Sequence, residues 1–214
     1  MSLLEFIVKN QEDLSLSLLR HIELVTVSVF VGIAVSIPAG ILLSRHKKAA
    51  GPILSTVGLI QTIPGLVMLG LALLAFGVGL FPALAVLSIY SVLPILRNTY
   101  TGITEVDTSY LEAGRGIGMT DMQLLFRVQL PIAMPSIISG VRISTVYIVS
   151  WATLAGLIGA GGLGDLIWTG LSTYNINYIL AGAVPSAILA FVFSGLIGIL
   201  QRLFTPKGLK GAGA

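Results

Sequence analysis

Two stretches without charge constrain this chain more than any other feature. No residue from Leu24 to Ser44 is charged, and after Arg45, Lys47 and Lys48 a second uncharged stretch runs from Ala49 to Leu96. A helix needs about 20 mostly apolar residues to cross the roughly 30 Å hydrocarbon core of a bilayer. The first stretch therefore predicts one span. The second is too long for one helix and is interrupted at Phe76-Gly77-Val78-Gly79-Leu80-Phe81-Pro82, which predicts two spans at roughly 53–76 and 81–97. Composition agrees. Of 214 residues, 55% are hydrophobic and 10% charged, against about 25% charged in a soluble domain, too little polar surface to cover a soluble globule.

Several classes fall away on the same numbers. A net charge of +3 with so much apolar content excludes disorder, and the absence of cysteine excludes disulfides and thiolate metal sites. The basic residues flank apolar spans and form no stripe, so nucleic-acid binding is disfavoured. The first twenty residues lack the basic start and small-residue cleavage site of a signal peptide. They read equally well as a frayed terminus or as an amphipathic surface helix.

Residues 98–130 mix Arg, Asp, Glu, Gln, Thr and Gly with isolated apolar residues, as expected of an aqueous loop with helical content. Thr108 or Ser109, followed by Glu112, looks like a helix start. Pro131 and Pro135 open a fourth span to about Leu157. A glycine-rich segment at 158–176 holds Asp165 and Trp168, and a fifth span covers about 177–201. The expected fold is an all-α integral membrane protein with five transmembrane helices. Its expected parts are an extracytoplasmic segment 1–23, a transmembrane domain 24–201 containing the loop 98–130, and a basic tail 202–214. The distribution of bases sets its orientation. Arg45, Lys47, Lys48, Arg97, Arg115, Arg127, Arg202, Lys207 and Lys210 fall on one side, and Lys9 and Arg20 on the other. The expectation is a cytoplasmic 98–130 loop and C-terminus, with the N-terminus outside.

Within that loop the string Glu112-Ala113-Gly114-Arg115-Gly116-Ile117-Gly118 continues to Val128-Gln129-Leu130-Pro131. Its spacing is that of E-A-A, three residues, G, nine residues, I-x-L-P. Glu112, Ala113, Gly118, Leu130 and Pro131 are in register, while Gly114 replaces the third alanine and Val128 the isoleucine. The pattern resembles the signature of binding-protein-dependent ABC importer permeases with a methionine-importer-like transmembrane domain. Ile60-Gln61-Thr62-Ile63-Pro64 and residues 93–102, 151–155, 158–167 and 205–209 are similar to the osmoprotectant branch, which imports glycine betaine, carnitine and choline.

The resemblance implies a transport subunit that works with separate ABC ATP-binding subunits, a second permease subunit and an extracytoplasmic solute-binding protein on another chain. ATP and Mg would be used by the partner ATPase, with no cofactor on this chain. Glu112, Ala113, Gly114, Gly118, Leu130 and Pro131 would belong to a coupling helix gripped by the ATPase. Small residues at 113, 114 and 118 allow close approach, and Gly118 permits a turn closed to other residues.

No residue pattern supplies an active site. No lysine has a phosphate-loop context. Gly159, Gly161 and Gly164 formally match G-x-G-x-x-G but follow an apolar span and precede no suitable acid. Gly161, Gly162 and Asp165 are candidates for binding-protein contact, with a helix cap the favoured reading of Asp165. Gln61 and Thr62 beside Pro64 are polar at membrane depth and are candidates for pathway lining. Tyr147 and Trp151, four apart on one helix, could touch a passing cation. Gly32, Ser36 and Gly40 form a small-residue face suited to packing within or between subunits. Arg142 is expected to snorkel to the cytoplasmic interface, and His21 and His46 to lie at opposite interfaces. The alternative is an ion-driven transporter or channel, which would need ionisable groups in the spans; Arg142 is the one such group.

Overall fold

The computed structural model describes residues 3–206, in which every regular element is helical. The basic tail from residue 207, with Lys207 and Lys210 of the charge argument, lies outside them. The helices are α1 (Leu3–Lys9), α2 (Gln11–Arg45), α3 (Lys47–Thr62), α4 (Gly65–Phe76), α5 (Leu80–Thr104), α6 (Thr108–Gly116), α7 (Asp121–Leu124), α8 (Leu130–Ala155), α9 (Leu163–Ser172) and α10 (Ile176–Phe204). Among the described residues four helical runs are long and apolar enough to cross a bilayer: α2, α5, the run Asp121–Ile158 that includes α8, and α10. The pair α3–α4 would make a fifth span, but it is bent by 86°.

That bend falls at Pro64, within the expected span at 53–76. Ile63 and Pro64 are both extended, with φ/ψ of −66°/126° and −56°/132°. A proline crowds the residue before it out of the helical region, and two consecutive extended residues turn the chain. Pro38, Pro94 and Pro185, by contrast, lie inside continuous helices.

The amino-terminal segment is helical, and Glu5, Ile7, Val8 and Lys9 of α1 are exposed. Helix α2 runs unbroken through residues 23 and 24. Phe6 of α1 is buried, with its ring edge-on to Tyr178 of α10 at 4.7 Å. His21 is likewise not interfacial. It is fully buried, and its Nε2 donates to the Val149 carbonyl of α8 at 3.2 Å.

Helix α5 lies between α2 and α8, and α10 packs across α8 and α9. Leu24, Val25, Leu69, Ala83, Leu87, Ile148, Val149 and Ala152 form the main core. The Gly32, Ser36 and Gly40 face is used inside the chain, against α5. The Ser36 hydroxyl donates to the Val92 carbonyl at 3.0 Å, and a Cβ on Gly32 would lie 2.1 Å from Ser91 Oγ. Ser91 in turn donates to the Ser28 carbonyl at 3.0 Å, and Ser144 of α8 donates to the Ser91 carbonyl at 2.9 Å. Small residues and hydroxyls bring three spans together where lipid offers no hydrophobic drive. Gly32→Leu should therefore wedge α2 from α5 and destabilise the fold by about 1–3 kcal/mol. A lower melting temperature of the detergent-purified variant would register this.

Candidate functional site

Two regions carry the polar and small residues singled out by the sequence. The first is the loop between α5 and α8. Asp107 caps α6, its carboxylate accepting from the Ser109 N–H at 2.8 Å. The helix thus starts one residue earlier than the Thr108/Ser109 reading, and Glu112 is not its cap. A true capping box opens α7 instead: Thr120 Oγ1 accepts from the Gln123 N–H at 3.3 Å, and Gln123 Oε1 accepts from the Thr120 N–H at 2.9 Å. Residues Leu125–Gln129 form a wide π turn that runs directly into α8. Pro131 explains the widening. It has no N–H for the Arg127 carbonyl, and its ring would crowd that carbonyl in a normal α turn. Leu130–Pro131 therefore continues a helix and does not restart one.

Glu112 and Ala113 are exposed on α6, whereas Gly114 is buried against the loop itself, where a Cβ would lie 2.5 Å from Leu124 Cδ2. Gly118 is exposed with φ +83°, and a Cβ there would meet open space. Leu130 packs beside Ile103, Leu125, Ala133 and Ile137. The loop is tied down by Arg45 of α2, which donates to the Asp121 carbonyl at 3.3 Å, and by an exposed Arg115–Asp121 pair at 3.9 Å. Around α6 and α7 the side chains of Tyr110, Ile117 and Met122 are exposed.

The Ser109 N–H holds the Asp107 carboxyl below its ordinary value of 3.8. A lowered folded-state pKa means the cap contributes fully above that ordinary value and fades as pH falls through the lowered one. Asp107→Ala should accordingly speed amide hydrogen exchange in the first turn of α6 several-fold at neutral pH, with little change at α7.

The second region surrounds the break at Ile63–Pro64. Pro94 has no N–H, which frees the Tyr90 carbonyl one turn earlier, and Gln61 Nε2 donates to that carbonyl at 2.7 Å. The Tyr90 hydroxyl donates to the Ile63 carbonyl, which the break leaves free. The Tyr90 ring lies 5.0 Å from that of Trp151, tilted by 31°. Trp151 crosses directly over Gly65, where a Cβ would come within 1.4 Å of the indole. Gln61, Tyr90, Tyr147 and Trp151 together line a cavity of about 260 Å³. Thr62 does not join them. It is exposed, and its hydroxyl bonds back to the Leu59 carbonyl at 2.7 Å.

Residues 32–208 match the family described as binding-protein-dependent transport system inner membrane component. The chain belongs to that family. It is 44% identical to the glycine betaine/carnitine/choline transport system permease protein OpuCB of Bacillus subtilis (strain 168), over 98% of this chain and 96% of that protein. It is 45% identical to the choline transport system permease protein OpuBB of the same organism, over 97% and 96%. In fold it is similar to a chain of the MetNI methionine ABC transporter solved in inward-facing conformations, with a TM-score of 0.83 and 24% identity, covering 92% of this chain and 98% of that one. The chain is therefore an ABC permease, a transport subunit of the inner membrane.

In this permease the glycine-rich turn after α8 packs largely inward. Gly162 is buried against His21, and Gly161 turns against Arg20. Gly162 occupies the cap position of α9, so Asp165 is not the cap. Asp165 is half-buried, its Oδ1 has no hydrogen-bond partner, and burial raises its carboxyl above the ordinary value of 3.8. Arg142 reaches α10, where its Nε donates to Ser194 Oγ at 2.8 Å and its guanidinium lies beside Gly198. The sequence reading missed Tyr90, which bridges the break and the indole. Its only sequence signal is its position four residues before Pro94.

Proposed function

We propose that this permease is the membrane-spanning subunit of an ATP-driven importer for a quaternary-ammonium compatible solute such as glycine betaine, carnitine or choline. One observation carries the coupling half of that reading. A short capped helix, α6, hangs between two spans with its signature residues Glu112 and Ala113 and the apolar Tyr110 and Ile117 all facing outward. Such a helix can seat in a groove of an ATP-binding subunit and move with it. The printed functions of the relatives support the solute class.

In this mechanism the loop end is cytoplasmic and the glycine-rich turn extracytoplasmic, as the distribution of bases requires. ATP binding closes two ATPase subunits, which use the ATP and Mg. The 108–128 segment follows them. Its stiff continuation through the π turn into α8 carries the motion to the helix that bears Tyr147 and Trp151. Two permease subunits enclose the pathway, which passes the cavity at the α3–α4 break. The solute-binding protein docks over the glycine-rich turn, whose half-exposed members include Gly161 and Asp165.

Proteoliposomes test this directly. The permease, its ATPase and its binding protein should concentrate labelled glycine betaine, carnitine or choline when ATP is enclosed, with ion gradients collapsed by ionophores. Uptake that follows an ion gradient and ignores ATP would overturn the reading in favour of an ion-driven transporter.

A further inference from the structure

The cavity at the α3–α4 break lies at a depth that lipid head groups do not reach. Tyr90 is about 15 Å along the axis of α5 from Leu80, at 1.5 Å per residue, and so near the middle of a roughly 30 Å hydrocarbon core. Two bonds cross there in opposite directions. Gln61 Nε2 donates to the Tyr90 carbonyl, and the Tyr90 hydroxyl donates to the Ile63 carbonyl. Together they clasp the end of α3 to α5 and fix Tyr90 beside Trp151, with ring centroids 5.0 Å apart. Tyr147, four residues before Trp151 on α8, completes the wall. It is 56% exposed, so the cavity is open on its side.

The walls carry rings and no charge. Helices α3, α5 and α8 contain no aspartate or glutamate. Their cations lie elsewhere: Lys47 and Lys48 begin α3, Arg97 is seven residues past Tyr90, and Arg142 turns to Ser194 and Gly198 of α10. The clasp commits Gln61 Nε2 and the Tyr90 hydroxyl to backbone carbonyls. A carboxylate therefore finds no cationic partner in this cavity, and a hydrated metal cation finds no counter-charge to replace its water. A quaternary ammonium differs from both. It has no N–H group to satisfy, and aromatic rings attract it without a carboxylate. At about 260 Å³ the cavity falls below the roughly 300–1,000 Å³ of sites for drug-sized ligands, which suits a head group of that kind.

We infer that Tyr90, Tyr147 and Trp151 form a selection site, within the permease itself, for the quaternary ammonium head of the solute. The site reads the head and not the other end of the molecule. Glycine betaine, carnitine and choline therefore engage it alike, and a neutral molecule of the same shape gains only van der Waals contact. Tyr147 contributes its ring, not its hydroxyl. Tyr90 is both a wall and a positioning residue, because its hydroxyl holds the break that shapes the cavity. The inference deepens the pathway proposed above and rests on the solute class proposed there.

Saturation-transfer NMR on the purified permease–ATPase complex tests the site without the binding protein. The complex is placed in nanodiscs of phosphatidylglycerol and phosphatidylethanolamine, lipids that carry no quaternary ammonium. The probe is choline, observed through its methyl protons. The competitors, at equal concentration, are tetramethylammonium, glycine betaine and the uncharged analogue of choline in which carbon replaces nitrogen. Tetramethylammonium and glycine betaine should each displace choline about fivefold more effectively than the carbon analogue. Tyr147→Leu should weaken the choline signal by a similar factor, and Tyr147→Phe, which keeps the ring, should retain it. Tyr147 is exposed, so these two variants leave the core intact. No choline signal from the wild-type complex, equal displacement by the carbon analogue, an unchanged signal in Tyr147→Leu or a lost one in Tyr147→Phe would each overturn the site. ATP-driven uptake by the full transporter is measured separately. Uptake without head-group binding removes the site and leaves the importer reading standing, and binding without ATP-driven uptake does the reverse.

Discussion

Gly118→Trp should abolish solute uptake while the protein still inserts and accumulates in the membrane. The residue holds φ at +83° just past α6, and a Cβ there would meet open space. The substitution therefore does not collide with anything in this chain. It acts in two other ways. A side chain at that backbone angle carries roughly 1–3 kcal/mol of strain, which a short loop relieves by changing its turn. An indole also projects from the surface that α6 offers to its partner and lifts the helix out of any groove. Uptake should fall by about 100-fold or more, since each 1.4 kcal/mol of lost docking is tenfold. Gly118→Ala, which has the strain without the bulk, should lie between. Gly116, whose Cβ also meets open space but which lacks the left-handed angle, should accept alanine with little loss. Full uptake in Gly118→Trp, at normal membrane level, would remove α6 from the coupling path.

Gly65→Val should destroy the aromatic cavity and destabilise the whole fold. The Cβ would lie 1.4 Å from Trp151 Cζ3 and 2.2 Å from Cε3, so the ring must move. The ring cannot swing freely, because Tyr90 stacks on it at 5.0 Å and Tyr90 is itself bonded to the Ile63 carbonyl. Displacing the indole therefore releases the tie that holds α3 and α4 at 86°. Overpacking a close contact costs about 1–3 kcal/mol, and the lost stacking adds roughly 0.5–1.5 kcal/mol. Melting of the purified variant should shift down by several degrees, with altered tryptophan fluorescence. Gly65→Val combined with Trp151→Ala should recover most of the stability and none of the uptake. A Gly65→Val protein that melts and transports normally would contradict the role of the break as a packed site.

Much of this was readable from residue order. The apolar stretches and the prolines at 131 and 135 locate α2, α5, α8 and α10 to within a few residues at most ends, because a bilayer demands length and apolarity and little else. The signature string points to the loop, because its small residues are spaced for a contact. What was hidden depends on partners distant in the chain. Gly32 and Gly40 read equally as an inter-subunit face until Ser91 and Thr99 are seen opposite them. Pro64 reads as a kink like Pro38, and only Tyr90, Gln61 and Trp151 make it a sharp break held in place. His21 looks interfacial from its place near the first charges, yet α8 and the glycine-rich turn close over it.

The central claim is that α6 transmits the motion of a separate ATPase. The chain contains no cysteine, so a single Ala113→Cys on the exposed face of α6 is a clean reporter. In membranes holding the whole transporter, oxidative crosslinking of Cys introduced at 113 to a cysteine in the ATPase groove should yield a permease–ATPase adduct. It should halt uptake, and reduction should restore it. No adduct from Ala113→Cys, Tyr110→Cys or Ile117→Cys, or solute accumulation that persists with the ATPase deleted, would contradict the claim.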